Sequence, residues 1–192
     1  MIKLLGRMLP MLARARSAPK VSAAEPVTSR FRVLPHDIDI NMHLNNGRYL
    51  QLIDLNRAEW MIRTGIWDVI RRNHWRPILA STAVQYRREL RLWDVATIET
   101  RLLGWDGRWT YLEHRVFDAN GRPAALALAK AGFRAKGRWI SPDHLRAQLP
   151  YPLGPLKLPA RALALLALDD AAFEAERGAS DDRRQSRLHA LA

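Results

Sequence analysis

The chain has 192 residues, 48% of them hydrophobic, with 31 Lys and Arg against 19 Asp and Glu and a formal net charge of +12. That length allows one good core with flexible ends, and the absence of cysteine excludes disulfides, thiolate nucleophiles and thiolate metal sites, leaving the cytosol as the default compartment. The positive charge is scattered without a basic recognition helix, and +5 of it lies in residues 1–30 (Lys3, Arg7, Arg14, Arg16, Lys20 and Arg30 against Glu25), so no nucleic-acid partner is expected.

The first segment, MIKLLGRMLPMLARAR, mixes apolar residues with Arg and is interrupted by Pro10. It is too short and too charged to span a bilayer, which takes about 20 apolar residues. Two roles remain open for residues 1–20: an amphipathic segment in peripheral contact with a membrane, or a terminus that is frayed or docked locally. Residues 17–28, SAPKVSAAEPVT, read as a linker, and Arg30–Leu34 as a short strand stopped by Pro35.

Past His43, residues Tyr49, Leu52, Ile53, Asn56 and Trp60 recur at helical spacing, with Leu50, Leu55, Met61 and Ile62 adding apolar surface on other sides. A helix apolar on several faces is one that a sheet wraps around. A short helix is expected over Trp67–Asn73. From Pro77 the period changes to two, giving candidate strands Ile78–Leu92, Val95–Leu103, Trp109–Asp118 and Pro123–Lys136. Asp106-Gly107 and Asn120-Gly121 supply hairpin turns. The expectation is an α+β fold, an antiparallel meander curled around one long helix. Ser141 caps a helix in SPDHLRAQL, an Ala/Leu helix runs from about Ala160 to Glu176, and the end reads as a tail. The expected divisions are 1–28 (basic amphipathic segment and linker), 29–140 (main domain), 141–176 (helical extension) and 177–192 (flexible tail).

The most polar passage, DIDINMHLNNGRYL (Asp37–Leu50), runs straight into the long helix. A calcium loop fails because Met42 stands where glycine is required and Arg48 where a bidentate Glu is required. A metal site from His36, Asp39 and His43 has no known ligand spacing. Helix capping by Asn45 or Asn46 is natural but leaves Asp39, Asn41 and His43 unexplained. An active-site turn accounts for all of them. Free amides at a helix N-terminus polarise a carbonyl and stabilise its oxyanion, while a nearby carboxylate attacks it or activates water.

These residues resemble the hotdog-fold thioesterases, especially the 4-hydroxybenzoyl-CoA thioesterase-like and THEM6-like groups, over about Arg30–Trp139. The resemblance implies a long helix wrapped by an antiparallel sheet. Counting back from Tyr49, it places the catalytic carboxylate on Asp39; the glycine usual three residues later is Met42 here. The pattern DxNxHxNN, matched by Asp39, Asn41, His43, Asn45 and Asn46, is also similar to the plant acyl-ACP thioesterases, whose downstream YRRE glutamate corresponds to Glu89 in Tyr86-Arg87-Arg88-Glu89. Read by itself, Glu89 lies on a strand face with Gln85 and Arg87 and forms exposed ion pairs. GWDGRWTYLEHRVFD also looks THEM6-like, and reads as architecture, with His114 a strand histidine.

The resemblance implies a thioester hydrolase acting in lipid metabolism on an acyl-CoA, or an acyl-ACP, without metal or redox cofactor and as a homodimer. Asp39 is then base or nucleophile, Asn41 positions water or carbonyl, His43 exchanges protons, and Glu89 assists. Asn45, Asn46, Gly47 and Tyr49 hold the substrate. Two other readings use the same fold: a non-catalytic acyl-binding or membrane-associated domain, and a dehydratase or hydratase working through His43 with Glu89 or Asp39.

Overall fold

The computed structural model describes residues 2–154, 156–164 and 167, in two units that divide between Lys157 and Leu158. In the second unit residues 160–164 and 167 are helical. The rest of the helix expected as far as Glu176, and the expected tail 177–192, lie outside the described residues.

The first unit opens with helix α1 (Ile2–Ser17). Met11 and Ala15, one turn apart, are buried against Ile62, with Leu55 and Ala58 alongside. The apolar spacing of this segment is therefore used on the protein's own surface. No helix among the described residues is long and apolar enough to cross a membrane. Lys20 Nζ then donates to the Ile62 carbonyl (2.8 Å), and the Val21 amide to that of Arg63 (3.1 Å).

Strand β1 (Val27–Arg32) and a single 3-10 turn (Pro35–Asp37) lead to α2 (Asn46–Arg63). Tyr49, Leu52, Ile53, Asn56 and Trp60 are all buried, the stripe that the spacing predicted. The apolar surface on the helix's other sides has a second cause: Leu55, Ala58 and Ile62 face α1 rather than the sheet. Gly65, at φ 80°, ends the helix in the left-handed region. A Cβ there would come within 2.9 Å of the Pro150 ring, so the sharp entry to α3 (Ile66–Asn73) needs glycine.

The remaining elements are β2 (Arg76–Tyr86), β3 (Val95–Trp105), β4 (Thr110–Phe117), β5 (Pro123–Ala135), β6 (Arg138–Ile140) and α4 (Pro142–Arg146), the last capped by Ser141. The sheet is antiparallel with order β1-β3-β4-β5-β2, and β6 pairs with β5. The expected meander holds only for β3–β4–β5. Those strands are joined by tight turns: Asp106 Oδ1 accepts the Arg108 and Trp109 amides, and Asp118 Oδ1 those of Asn120 and Arg122. No such turn joins β2 to β3, and the chain instead crosses to the other side of the sheet, leaving β2 at an edge. Strand β2 also stops short of the expected Leu92. The Arg87 and Arg88 amides both turn to the Ala124 carbonyl (2.8 and 3.1 Å), which breaks the alternation.

One apolar cluster gathers Trp60, Val69, Leu102, Leu112 and Phe133, the other Leu44, Tyr49, Ile53, Leu90 and Val116. Asn56 sits on α2 between the residues that serve each, at the centre of a buried polar layer. Its Nδ2 donates to Ser29 Oγ (2.7 Å), Thr100 Oγ1 donates to its Oδ1 (2.5 Å), and Thr100 Oγ1 also meets His114 Nδ1 (2.7 Å). Because the hydroxyl proton goes to Asn56, the Thr100 oxygen accepts from Nδ1–H, and Nε2 of a neutral ring is left without a partner among the described residues.

His114 is fully buried, and burial, followed by the charge of Arg57, pushes its pKa down to about 3. In the unfolded chain it titrates near 6.5. Between those values the unfolded state holds a proton that the folded state refuses. Stability therefore falls as pH drops through this window, by about 1.4 kcal/mol per unit, and the residue adds no pH dependence above it. Replacing His114 by Asn is expected to flatten this acid limb in denaturant titrations run across the window. An unchanged slope would reject the assignment.

Candidate active site

The motif folds back on itself before entering α2. Ile38 bridges Leu44, the Asp39 amide donates to the His43 carbonyl (3.0 Å), and the Met42 amide to the Asp39 carbonyl (3.1 Å). Met42 follows at φ 63°. A tight turn closed by a left-handed residue is the three-residue loop in which glycine is favoured, which explains why glycine is usual at this place. A non-glycine residue there costs about 1–2 kcal/mol, and Met42 holds the conformation nonetheless, with its side chain 66% exposed beside Ile40 at 97%.

Asp39 sits at the start of this loop. Its Oδ1 accepts the Asn41 amide (2.9 Å) and lies 3.6 Å from His43 Nδ1, and its side chain is 20% exposed. At that distance His43 stands beside the carboxylate without a hydrogen bond to it. The carboxylate is thus oriented by the backbone and still reachable from solvent. Asn41 contributes its amide, while its side chain is on the exposed rim.

The helix start supplies the complementary charge. Asn45 is the N-cap, its Oδ1 accepting the Gly47 amide (2.9 Å) and its carbonyl the Arg48 and Tyr49 amides. Asn46, the first helical residue, has no acceptor four residues back in the helix, and the positive end of the helix comes where the loop opened by Asp39 ends. Gly47, expected with Asn45, Asn46 and Tyr49 to hold the substrate, already gives its amide to the cap. Tyr49 is buried beneath the turn, its hydroxyl 3.4 Å from the Arg88 carbonyl, and burial, then Tyr86 beside it, pushes its pKa up to about 12. It packs edge-on against Tyr86 (5.2 Å), whose hydroxyl donates to the Asn46 carbonyl (3.0 Å).

The YRRE segment runs beside the motif: the Leu44 amide donates to the Leu90 carbonyl (2.7 Å), and His43 bridges Arg91. Two stretches more than 40 residues apart in sequence thus form one wall. Glu89 is in that wall but not on a strand, since β2 has ended, and its exposed carboxylate is bound by the Arg91 guanidinium, with Nε at 2.8 Å. Among the described residues no group of three or more His, Cys, Asp or Glu is placed to hold a metal.

Sequence reasoning did not anticipate the apolar cavity of 270 Å³ bounded by Trp60, Met61, Ile66, Leu102, Leu112 and Phe133. None of the motif residues lines it. On α2 its lining begins at Asp54, about 12 Å along the axis from Asn46 at 1.5 Å per residue. Its residues come from eight separate segments (Ala23, α2, α3, β2, β3, β4, β5 and residues 142–153), and no local pattern marks them. Sequence reasoning also missed Asp37 as a buried hub, although it opens the polar passage: its carboxylate is 4% exposed and pairs with Arg7.

The sequence profile of the thioesterase-like superfamily matches residues 33–149. The chain is 41% identical over 83 residues to Protein THEM6 of Xenopus laevis; the match takes in 43% of this chain and 40% of that protein, so less than half of the relative is spanned. Among solved structures, YbaW, a probable thioesterase of Escherichia coli, superposes with a TM-score of 0.59 at 20% identity, over 63% of this chain and 94% of that one. A thioesterase of Thermus thermophilus, solved with coenzyme A and zinc, superposes with a TM-score of 0.55 at 26% identity, over 65% of this chain and 98% of that one.

Proposed function

The chain belongs to the thioesterase-like superfamily and has the hotdog fold, and from that premise we propose that it hydrolyses an acyl-CoA thioester at the Asp39 turn. One observation carries the reading: a backbone-oriented, solvent-reachable carboxylate shares a turn with the amide end of a buried helix. The thioester carbonyl oxygen lies against the Asn46 amide and the positive end of α2, which stabilise the oxyanion as the carbonyl carbon becomes tetrahedral. Asp39 either takes a proton from the attacking water or attacks first, forming a mixed anhydride that water then opens. Collapse expels the CoA thiolate, which is protonated, and the products are a carboxylate and free CoA thiol. His43, whose Nδ1 is 3.6 Å from Asp39 Oδ1, holds the proton in transit.

The acyl chain runs along α2 toward the apolar cavity, whose lining is chemically suited to methylenes and begins about 12 Å from the helix start. Support for coenzyme A as the carrier comes from the CoA-bound Thermus relative. The direct test is a panel of acyl-CoA esters of graded chain length with released thiol titrated by a chromogenic reagent. The protein has no cysteine and contributes no background. Turnover of medium or long chains is expected, and binding without turnover across the panel would sink the reading in favour of an acyl-binding domain.

The enzyme acts as a homodimer joined through β2. This strand runs from Arg76 to Tyr86 at one end of the sheet's strand order and pairs with β5 alone among the described strands. Leu79 and Tyr86 are 48% and 42% exposed, apolar surface that a second protomer can cover. Tyr86 touches the Asn46 carbonyl, so pairing here brings a second protomer to the rim of the site. Light scattering is expected to give twice the monomer mass, and a monomeric mass at assay concentration would reject this arrangement.

A further inference from the structure

Helix α1 lies outside residues 33–149, where the superfamily profile matches, yet it is bonded to the catalytic turn. Arg7 Nη2 donates to Asp37 Oδ2 (2.5 Å) and to the Arg32 carbonyl (3.0 Å). Asp37 is buried, and the same Oδ2 accepts the Leu34 amide (2.9 Å), which closes the 3-10 turn. The Asp37 carbonyl accepts the amide of Asn45 (2.9 Å), the N-cap of α2. Asp37 is thus joined to both halves of the site. Two residues on stands Asp39, and across the hydrogen bond stands the helix end that would hold the oxyanion.

The helix that presents Arg7 is itself anchored. Arg14, about two turns further on and so on the same side, grips the buried carboxylate of Glu59 through Nε (3.1 Å) and Nη2 (2.6 Å). Met11 and Ala15, buried against Ile62, also hold α1 on α2, so α1 stays docked when apolar residues replace the Arg14–Glu59 pair, while its tie to the motif is made by Arg7.

We propose that α1 is a positioning element of the active site, acting through Arg7 on Asp37 to hold the Asp39 loop against the N-terminus of α2. Arg7 touches no reacting atom. Its effect is on geometry, and misplacing a catalytic group by about 1 Å can lower turnover about 100-fold. The inference rests on the proposed hydrolysis for its kinetic consequence and on the hydrogen bonds alone for its structural one.

The test compares two charge-neutral double variants, chosen so that neither strands a buried carboxylate. Arg7→Met with Asp37→Asn cuts the tie to the turn while keeping an acceptor for the Leu34 amide. Arg14→Met with Glu59→Leu cuts the other tie. Acyl-CoA kinetics well below each melting temperature are read beside amide hydrogen exchange at Asn41 and Asn45. The Arg7 pair is expected to lower kcat about 10- to 100-fold with KM changed less than about 2-fold and to speed exchange at both amides. The Arg14 pair is expected to leave kcat and both amides near wild type. Arg7→Lys keeps one donor to Asp37 and should recover part of the loss. Equal effects of the two pairs, or unchanged exchange in the Arg7 pair, overturn the proposal. If wild type hydrolyses no acyl-CoA, the activity reading fails and the exchange data alone decide this one: faster exchange confined to the Arg7 pair upholds it, and any other pattern overturns it.

Discussion

Replacing Asp39 by Asn is expected to lower kcat for acyl-CoA hydrolysis by about 10²- to 10⁴-fold, the range a positioned acid–base group contributes, while leaving the melting temperature almost unchanged. The substitution isolates charge from shape. An Asn Oδ1 still accepts the Asn41 amide, which the Asp39 carboxylate takes at 2.9 Å, so the loop keeps its turn and Met42 its left-handed backbone. What disappears is the negative charge that deprotonates water or attacks the carbonyl, and with it the carboxylate beside His43 Nδ1. The result that defeats the mechanism is unchanged turnover in a well-folded variant. A fall in activity matched by a fall in stability would place Asp39 in the architecture instead.

The largest expected effect on stability is at the other end of α1. Truncating Arg14 to Ala leaves the Glu59 carboxylate, 1% exposed, without the guanidinium that holds it. Removing one member of a buried pair costs about 3–5 kcal/mol. Arg14 is itself half exposed (47%), so water screens part of the interaction and the lower end, about 3 kcal/mol, is the better figure. For a chain of this size that is a drop of about 6–12 °C in melting temperature. Replacing both residues by apolar ones of similar size should restore most of it, because the penalty arises from the stranded charge rather than from lost attraction. Thermal unfolding of the single and double variants at neutral pH measures both. A single variant whose melting temperature matches wild type would show that Glu59 finds water or another partner when Arg14 is gone.

Local chemistry was readable in the sequence wherever neighbouring residues supply the bonds. The buried stripe of α2, the Asp-Gly and Asn-Gly turns and the Ser141 cap are each set by residues a few positions apart, and each stands where the spacing put it. The polar passage stood out as a candidate site for the same reason: capping uses one Asn, and Asp39, Asn41 and His43 remained in excess of it. Long-range partners were not readable. Nothing near Tyr86 announces that the next two amides will turn to Ala124, so the strand was expected to continue. The sheet order depends on a crossing with no turn signal, and the cavity on side chains from eight segments.

Helix α1 shows the limit most clearly. Met11 and Ala15 have the spacing of a helix that lies on some apolar surface, and a membrane or the protein's own α2 satisfies that spacing equally. The partners that the fold supplies, Asp37 for Arg7 and Glu59 for Arg14, lie 30 and 45 positions away. The carboxylate of Glu89 shows the converse. Its segment does come to the motif, as the YRRE pattern suggested, but local ion pairing with Arg91 claims the side chain itself.

The Asn56–Thr100–His114 layer has a bearing on where α2 can stand along its own axis. An apolar helix in an apolar trough can slide by a turn, about 5.4 Å, and meet much the same methyl groups. Asn56 cannot, because Ser29 and Thr100 offer hydrogen bonds at one height only, and a slip would leave several buried polar groups bare at about 1–3 kcal/mol each. The layer therefore acts as a detent. It fixes the axial register of the central helix, and so the distance from the amide end of that helix to the loop of Asp39, from a point about 15 Å away along the axis.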